Sequence, residues 1–301
     1  MSRYRFNLKH IEAFLEVADQ GTFRRAAERL ATTQPNISNR IAQLEDQIGH
    51  RLMERDAGSV QLTPRGQALL EPARALIAAA DTFVVATGDE TKFQGILRLG
   101  ISEMVAHSWL RQFLREMKVR FPQIDVDLTI DMSANLSRAL FDRDLDLTLQ
   151  NAPFDRVARQ SVELGQTTHY WVASPDLGFR KGTVGAKELA SHAILTHSRN
   201  SRAYQQIAAH FQSINQPVRL VSSSYMGSCL QMALDGLGVA CLPAAMLDEA
   251  LSEQRLICVD YAWRPENLAF FARYLVDPAP PYLSEAVAIA HRLFPPRASI
   301  E

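Results

Sequence analysis

Asn36, Asn39 and Gln43 stand three and four residues apart, and on a helix that spacing places them on one side. Gln34, Ser38 and Arg40 flank them, with Thr33 and Pro35 where such a helix would begin. Side-chain amides can pair bidentately with adenine edges and an arginine with guanine, while free N–H groups at a helix start can hold a phosphate. The rival reading is a solvated helix face. Pro35 and the short interval back to another small helix weigh against it. Two short helices in tandem, the second carrying amides outward, are how a protein presents side chains to a duplex groove.

The elements that must position these residues are legible around them. Ile11, Phe14, Leu15 and Ala18 fall at i, i+3, i+4 and i+7, the apolar face of a first helix that Gly21 ends. Thr22 is placed to N-cap a second helix whose buried face is Phe23, Ala26, Ala27 and Leu30. The two alanines leave room for a neighbour to approach closely. In the third helix, opened at Thr33, the core stripe is Ile37, Ile41, Leu44 and Ile48, with Gly49 as its stop. A short two-stranded wing follows.

This stretch resembles the winged helix-turn-helix of LysR-type transcriptional regulators. The family pattern is matched at Gly21, Thr22, Phe23, Ala26 and Ala27, at Gln34, Pro35 and Ser38, and at Leu44, Glu45, Ile48 and Gly49. It continues at Leu52, Arg55, Leu62, Thr63 and Gly66. The resemblance implies that Gln34, Pro35, Asn36, Ser38, Asn39 and Arg40 face a major groove; Thr33, Gln43 and Arg55 join them as candidate DNA contacts. The wing tip departs from the pattern, because Asp56-Ala57-Gly58-Ser59 stands where arginines are common. A weak wing contribution is therefore expected.

Residues 1–66 carry ten basic and eight acidic residues, a net +2, whereas the whole chain is at −1. Affinity for DNA must then come from paired groove contacts more than from bulk charge. Thr63-Pro64 opens another helix, with apolar residues at alternating three and four spacing from Leu69 to Val84. About 24 residues of helix span about 36 Å, too long to be buried on one small domain. A second copy of the same helix is the simplest cover, and the resemblance implies that it dimerises. Pro72 inside it is expected to kink it near residues 68–69.

Beyond Phe93 strands and helices alternate, which predicts α/β units with parallel sheets. Strands are read at 96–101, 124–130 and 145–149, then at 169–173, 193–196, 218–222, 239–242 and 268–275. Two such lobes enclose a cleft beyond the strand carboxyl ends. The resemblance extends here more weakly, through Ser102, DLDLTLQNAP at 144–153 and DGLGVACLP at 235–243, and implies lobes like those of periplasmic binding proteins. The expected organisation is a DNA-binding domain at 1–66, a linker helix at 67–92, and an effector domain at 93–301. Lobe I takes about 93–166 and 268–301, lobe II about 167–267, with crossings near 166–168 and 267–269.

For a ligand, Ser102 and Glu103 follow a strand and open a helix, where donors can hold a carboxylate; a plain N-cap is the rival. Gln150 and Asn151 end a strand facing the cleft, or make a turn. Thr196, His197 and Ser198 end a strand of lobe II, and Arg202 can neutralise an anion or be an ordinary exposed arginine. Met104, Met132, Tyr225 and Met226 read as core. The chain has no nucleophile elbow, P-loop, Gly-rich dinucleotide turn or H-E-x-x-H, so neither an enzyme nor a cofactor is expected. Cys229, Cys241 and Cys258 form no C-x-x-C, which suits a reduced cytoplasmic protein; a cysteine redox sensor is one alternative reading, a metabolite-binding protein without DNA function another. No apolar run of about 18 residues exists. The expectation is a homodimeric or tetrameric regulator of double-stranded DNA, controlled by a small molecule, free of membranes and in contact with RNA polymerase.

Overall fold

The computed structural model describes residues 6–56, 59–86, 93, 95–180 and 182–294. The first three helices are α1 (Leu8–Gln20), α2 (Phe23–Arg29) and α3 (Gln34–Ile48). Their ends obey local chemistry. The Asn7 side chain accepts from the His10 N–H and Thr22 from the Arg25 N–H, while Gly21 and Gly49 close α1 and α3 in the left-handed conformation. Thr33 holds the N-cap position of α3, but its side chain makes no capping bond. Phe14, Val17, Ala26, Ala27, Ile37, Ile41 and Leu44 pack one core, so the alanines bring α2 and α3 together as their size requires.

Strands β1 (Met53–Asp56) and β2 (Ser59–Leu62) pair antiparallel as a wing. Glu45 ties it to α3, accepting from the backbone N–H of Leu52 at 2.7 Å and of Met53 at 3.1 Å. A Cβ on Gly66 would meet the Leu52 carbonyl at 2.1 Å, so only glycine fits there. Thr63 starts α4 (Pro64–Ala86), its hydroxyl accepting from the Gly66 N–H at 3.0 Å and donating to the Arg51 carbonyl at 2.9 Å. Pro72 lies inside α4 without ending it. The tip residues Ala57 and Gly58, with the Arg55 side chain, lie outside what the structure describes.

The rest of the chain builds two five-stranded mixed sheets. One holds β3 (Gly95–Ile101), β4 (Ile124–Ile130), β5 (Leu147–Asn151), β6 (Gln160–Thr167) and β12 (Leu268–Tyr274), in the order β4-β3-β5-β12-β6. The other holds β7 (His169–Ala173), β8 (Ala193–His197), β9 (Arg219–Ser223), β10 (Val239–Pro243) and β11 (Ile257–Cys258), in the order β11-β7-β10-β8-β9. The β3, β4, β5 ladder and the β10, β8, β9 ladder are parallel, as alternation implies. The antiparallel β6, β7, β11 and β12 qualify the parallel expectation. Between these strands run α5 (Glu103–His107), α6 (Leu110–Arg120), α7 (Ser133–Phe141), α8 (Ala186–Leu189), α9 (Arg202–Ser213), α10 (Met226–Leu234) and α11 (Asp248–Ser252), and α12 (Pro281–Leu293) follows the last of them.

Two differences from the sequence reading have plain causes. The third strand starts at Leu147 instead of Leu145, because the Leu145 N–H is spent on the Ala139 carbonyl in the turn that closes α7. Strand β6 escaped notice because its polar residues alternate with few apolar ones and Gly165 interrupts it. The chain passes from the first sheet to the second between Thr167 and His169, and β12 returns it from Leu268. We call the unit of the first sheet lobe I and that of the second lobe II.

Candidate functional site

Two regions gather the residues that carry chemistry. The first is the outward face of α3. Gln34, Pro35, Asn36, Asn39 and Gln43 are exposed, as is Thr33 before them, while Ser38 and Arg40 are half-buried. The amides are held only by neighbours on their own helix turn: Asn36 donates to Thr32 Oγ1 at 3.2 Å and Gln43 to Asn39 Oδ1 at 3.5 Å. A rigid rod, packed on its far side by Ile37, Ile41 and Leu44, thus turns the amides of Asn36, Asn39 and Gln43 outward.

The second region is a cleft of about 640 Å³ lined from both lobes. Ser102, Glu103, Asn151, His197 and Arg202 line it; Gln150, Thr196 and Ser198 do not. Ser102 is 6% exposed and its hydroxyl has no hydrogen-bond partner, so the N-cap position does not consume it. Across the cleft, Glu103 accepts from the Met226 N–H at the start of α10 at 2.7 Å and lies 3.5 Å from His197 Nε2. That carboxylate bridges the lobes. Arg202 is not a spare cation, because it pairs with Glu266.

Gln150 is fully buried behind the lobe I wall. With its carboxamide oxygen toward the donors it accepts from Arg273 Nη1 at 2.8 Å and Ser137 Oγ at 2.9 Å, and its nitrogen donates to the Ser133 carbonyl at 3.2 Å. Arg273, 1% exposed, also donates to the Arg156 carbonyl and lies 3.9 Å above the Phe154 ring. It has no carboxylate partner among the described residues, and burial lowers its pKa. A desolvated guanidinium therefore stands one side chain behind the wall, with Ser137 between it and the cavity.

Sequence reasoning missed Asp131 and Ser133, which line the cleft beyond the carboxyl end of β4. The rule that found Ser102 after β3 would have found them after β4. Arg273 gave no signal, since an arginine in a strand usually faces water. Met104, Met132 and Met226 were expected in the core, yet all three line the cavity, Met104 while only 2% exposed. His169 also lines it; burial lowers its pKa to about 4, so it is neutral at pH 7. Burial pushes the Cys229 thiol up to about 11 and Cys241 up as well. Both therefore stay protonated, unlike the low-pKa thiolates of redox sensors.

A family model described as LysR substrate binding domain matches residues 90–294. A second, described as Bacterial regulatory helix-turn-helix protein, lysR family, matches residues 8–67. The chain belongs to the LysR family. It is a LysR-type transcriptional regulator, with the helix-turn-helix at its start and an effector-binding domain after it. Among curated LysR-type relatives, the HTH-type transcriptional regulator CrgA of Neisseria meningitidis serogroup C (strain 8013) is 27% identical over 258 residues, 83% of this chain and 84% of CrgA. A full-length OxyR variant from Pseudomonas aeruginosa superposes with a TM-score of 0.61 at 22% identity, covering 97% of this chain and 96% of that one. Full-length CbnR in complex with its target DNA gives a TM-score of 0.50 at 19% identity, covering 95% and 99%. At these identities the structural likeness shows the LysR-type fold alone.

Proposed function

We propose that this regulator reads a duplex through α3 and changes its grip on DNA when a small molecule enters the cleft between the lobes. One observation carries the reading: an exposed, unengaged amide face on α3 and a two-lobed cavity of about 640 Å³ stand in the same chain. Gln34, Asn36, Asn39, Arg40 and Gln43 are the base-reading group, with Thr33, Pro35 and Ser38 at the helix start beside phosphates. Leu76 at 45% and Phe83 at 73% exposure leave an apolar stripe on α4 bare, which supports a homodimer through that helix. Paired recognition helices would then read two half-sites about one turn apart. Contact with RNA polymerase and residence in the cytoplasm complete the reading.

For the ligand, a small organic acid fits best. The free Ser102 hydroxyl and the Arg273 guanidinium behind Ser137, without a carboxylate partner among the described residues, both favour a carboxylate on the lobe I side. The test uses the full-length protein. Binding sites are selected from random duplexes, and affinity for the enriched site is measured with and without each member of a panel of small carboxylates. The reading expects a palindromic enriched site and at least one acid that changes its affinity. No enrichment would leave a ligand-binding protein without DNA function.

A further inference from the structure

We infer that lobe I holds the DNA-binding unit through the turn after α7, and that α7 transmits events in the cleft to the helix-turn-helix. Arg25 on α2 donates to the Asp142 carbonyl at 3.2 Å and pairs with Asp144. Arg29, one helical turn on, pairs with Asp146 and donates to the Arg143 carbonyl at 3.2 Å. Gln20, at the end of α1, donates to the same carbonyl at 3.3 Å. In return Arg143 reaches Asp19 at 3.2 Å. The grip therefore has donors and acceptors on both sides, joining segments more than a hundred residues apart.

The turn is a stiff extension of α7. Arg143 takes the left-handed conformation at φ 59, the position where a helix usually ends on glycine. The Arg143 N–H donates to Leu140 at 3.1 Å and the Asp144 N–H to Ala139 at 2.9 Å. Asp146 also accepts from the Arg98 N–H at 2.9 Å, which pins the turn to β3. At the other end of α7, Ser133, Ala134 and Ser137 line the cleft. Nine residues of helix span about 13 Å, so one short rod has its first turn in the cavity wall and, at its far end, carries the turn that meets α2. Because α2 and α3 share a core, tilting α2 re-aims the exposed face of α3. The contact leaves that face free, so it steers the reader and does not cover it.

The inference rests on the cleft being the control site, but its test needs no ligand. Ala134 is exposed and lines the cleft, so Ala134→Trp fills the cavity from the first turn of α7. Amide hydrogen exchange is followed by mass spectrometry on the full-length wild type, Ala134→Trp, and Ala134→Trp combined with Asp144→Asn. We expect Ala134→Trp to change exchange over residues 22–30 by about threefold or more, a local-opening effect. Asp144→Asn removes one of these contacts and should diminish that response at 22–30 while residues 131–141 still respond. The charge swap Arg25→Asp with Asp144→Arg should restore it, which mere local loosening would not do. Unchanged exchange at 22–30 in Ala134→Trp, or a response that Asp144→Asn leaves undiminished, would overturn the inference. A carboxylate panel that fails while this response holds would reject the organic acid and leave the transmission intact.

Discussion

The outward face of α3 and the lobe I wall of the cleft use similar side chains in opposite conditions. On α3, Asn36, Asn39 and Gln43 are exposed and bonded only within one helical turn. In the wall, Gln150 is fully buried and its amide spans a guanidinium, a hydroxyl and a backbone carbonyl. An amide that must meet a base pair keeps its bonding capacity for the partner. An amide behind a ligand cavity spends that capacity on holding the wall. The difference predicts that equal chemistry, removed at the two places, is felt in different measurements.

The largest effect belongs to the wall. Gln150→Leu keeps the volume but strips the acceptor from Arg273 and the donor from the Ser133 carbonyl. Leaving a buried charge and a carbonyl short of partners costs about 3 kcal/mol, to be read as a fall in the unfolding midpoint. A loss below about 0.5 kcal/mol would mean that the wall does not depend on the amide. On α3 the expectation reverses. Asn39→Ala should lower affinity for the selected duplex by about 1–3 kcal/mol, roughly 5- to 150-fold, with stability unchanged within about 0.5 kcal/mol. Should specific binding persist at full strength, α3 would not be read through Asn39.

A third region sharpens the contrast, since two half-buried acids, Glu12 and Asp81, act on each other there. Burial raises Asp81 on α4 to about 6, and the charge of Glu12 on α1 adds to it; burial raises Glu12 too. The native state thus binds more protons than the unfolded chain between the ordinary carboxylate value of 3.8 and about 6. Stability from this group is present at low pH and is lost as pH rises through about 6. Asp81→Asn should therefore raise the midpoint at pH 7.5 and flatten its pH dependence across that window. An unchanged slope between pH 4 and pH 7 would show that Asp81 titrates as an exposed acid.

How much of this was legible follows the same division. The DNA-binding unit could be read because its instructions are local: Thr22 caps, Gly21 and Gly49 stop, and Ala26 and Ala27 repeat with the helix period. Even Gly66, matched by pattern alone, has its reason in one close backbone approach. The cleft was legible only where a strand end announces itself, as at Ser102 and Asn151. Arg273 and Ser137 meet across 136 residues of sequence, and no spacing marks such a pair. The contact between α2 and the turn at 142–146 was invisible for that reason too, although every residue in it is charged or polar.

A small expected effect on stability tests the cleft from the other side. Ser102 resembles Gln150 in burial but not in satisfaction, because its hydroxyl has no partner. Removing an unpaired buried hydroxyl relieves a desolvation cost instead of breaking a bond. Ser102→Ala should therefore leave the unfolding midpoint unchanged or raise it, by no more than about 1 kcal/mol. The same substitution should weaken whichever carboxylate the wild type binds by about 0.5–1.5 kcal/mol or more, up to about 3 kcal/mol for a charged acceptor. Both measurements are needed together. A clear loss of stability would show that the hydroxyl is bonded inside the protein, and unchanged ligand affinity would move the carboxylate away from β3.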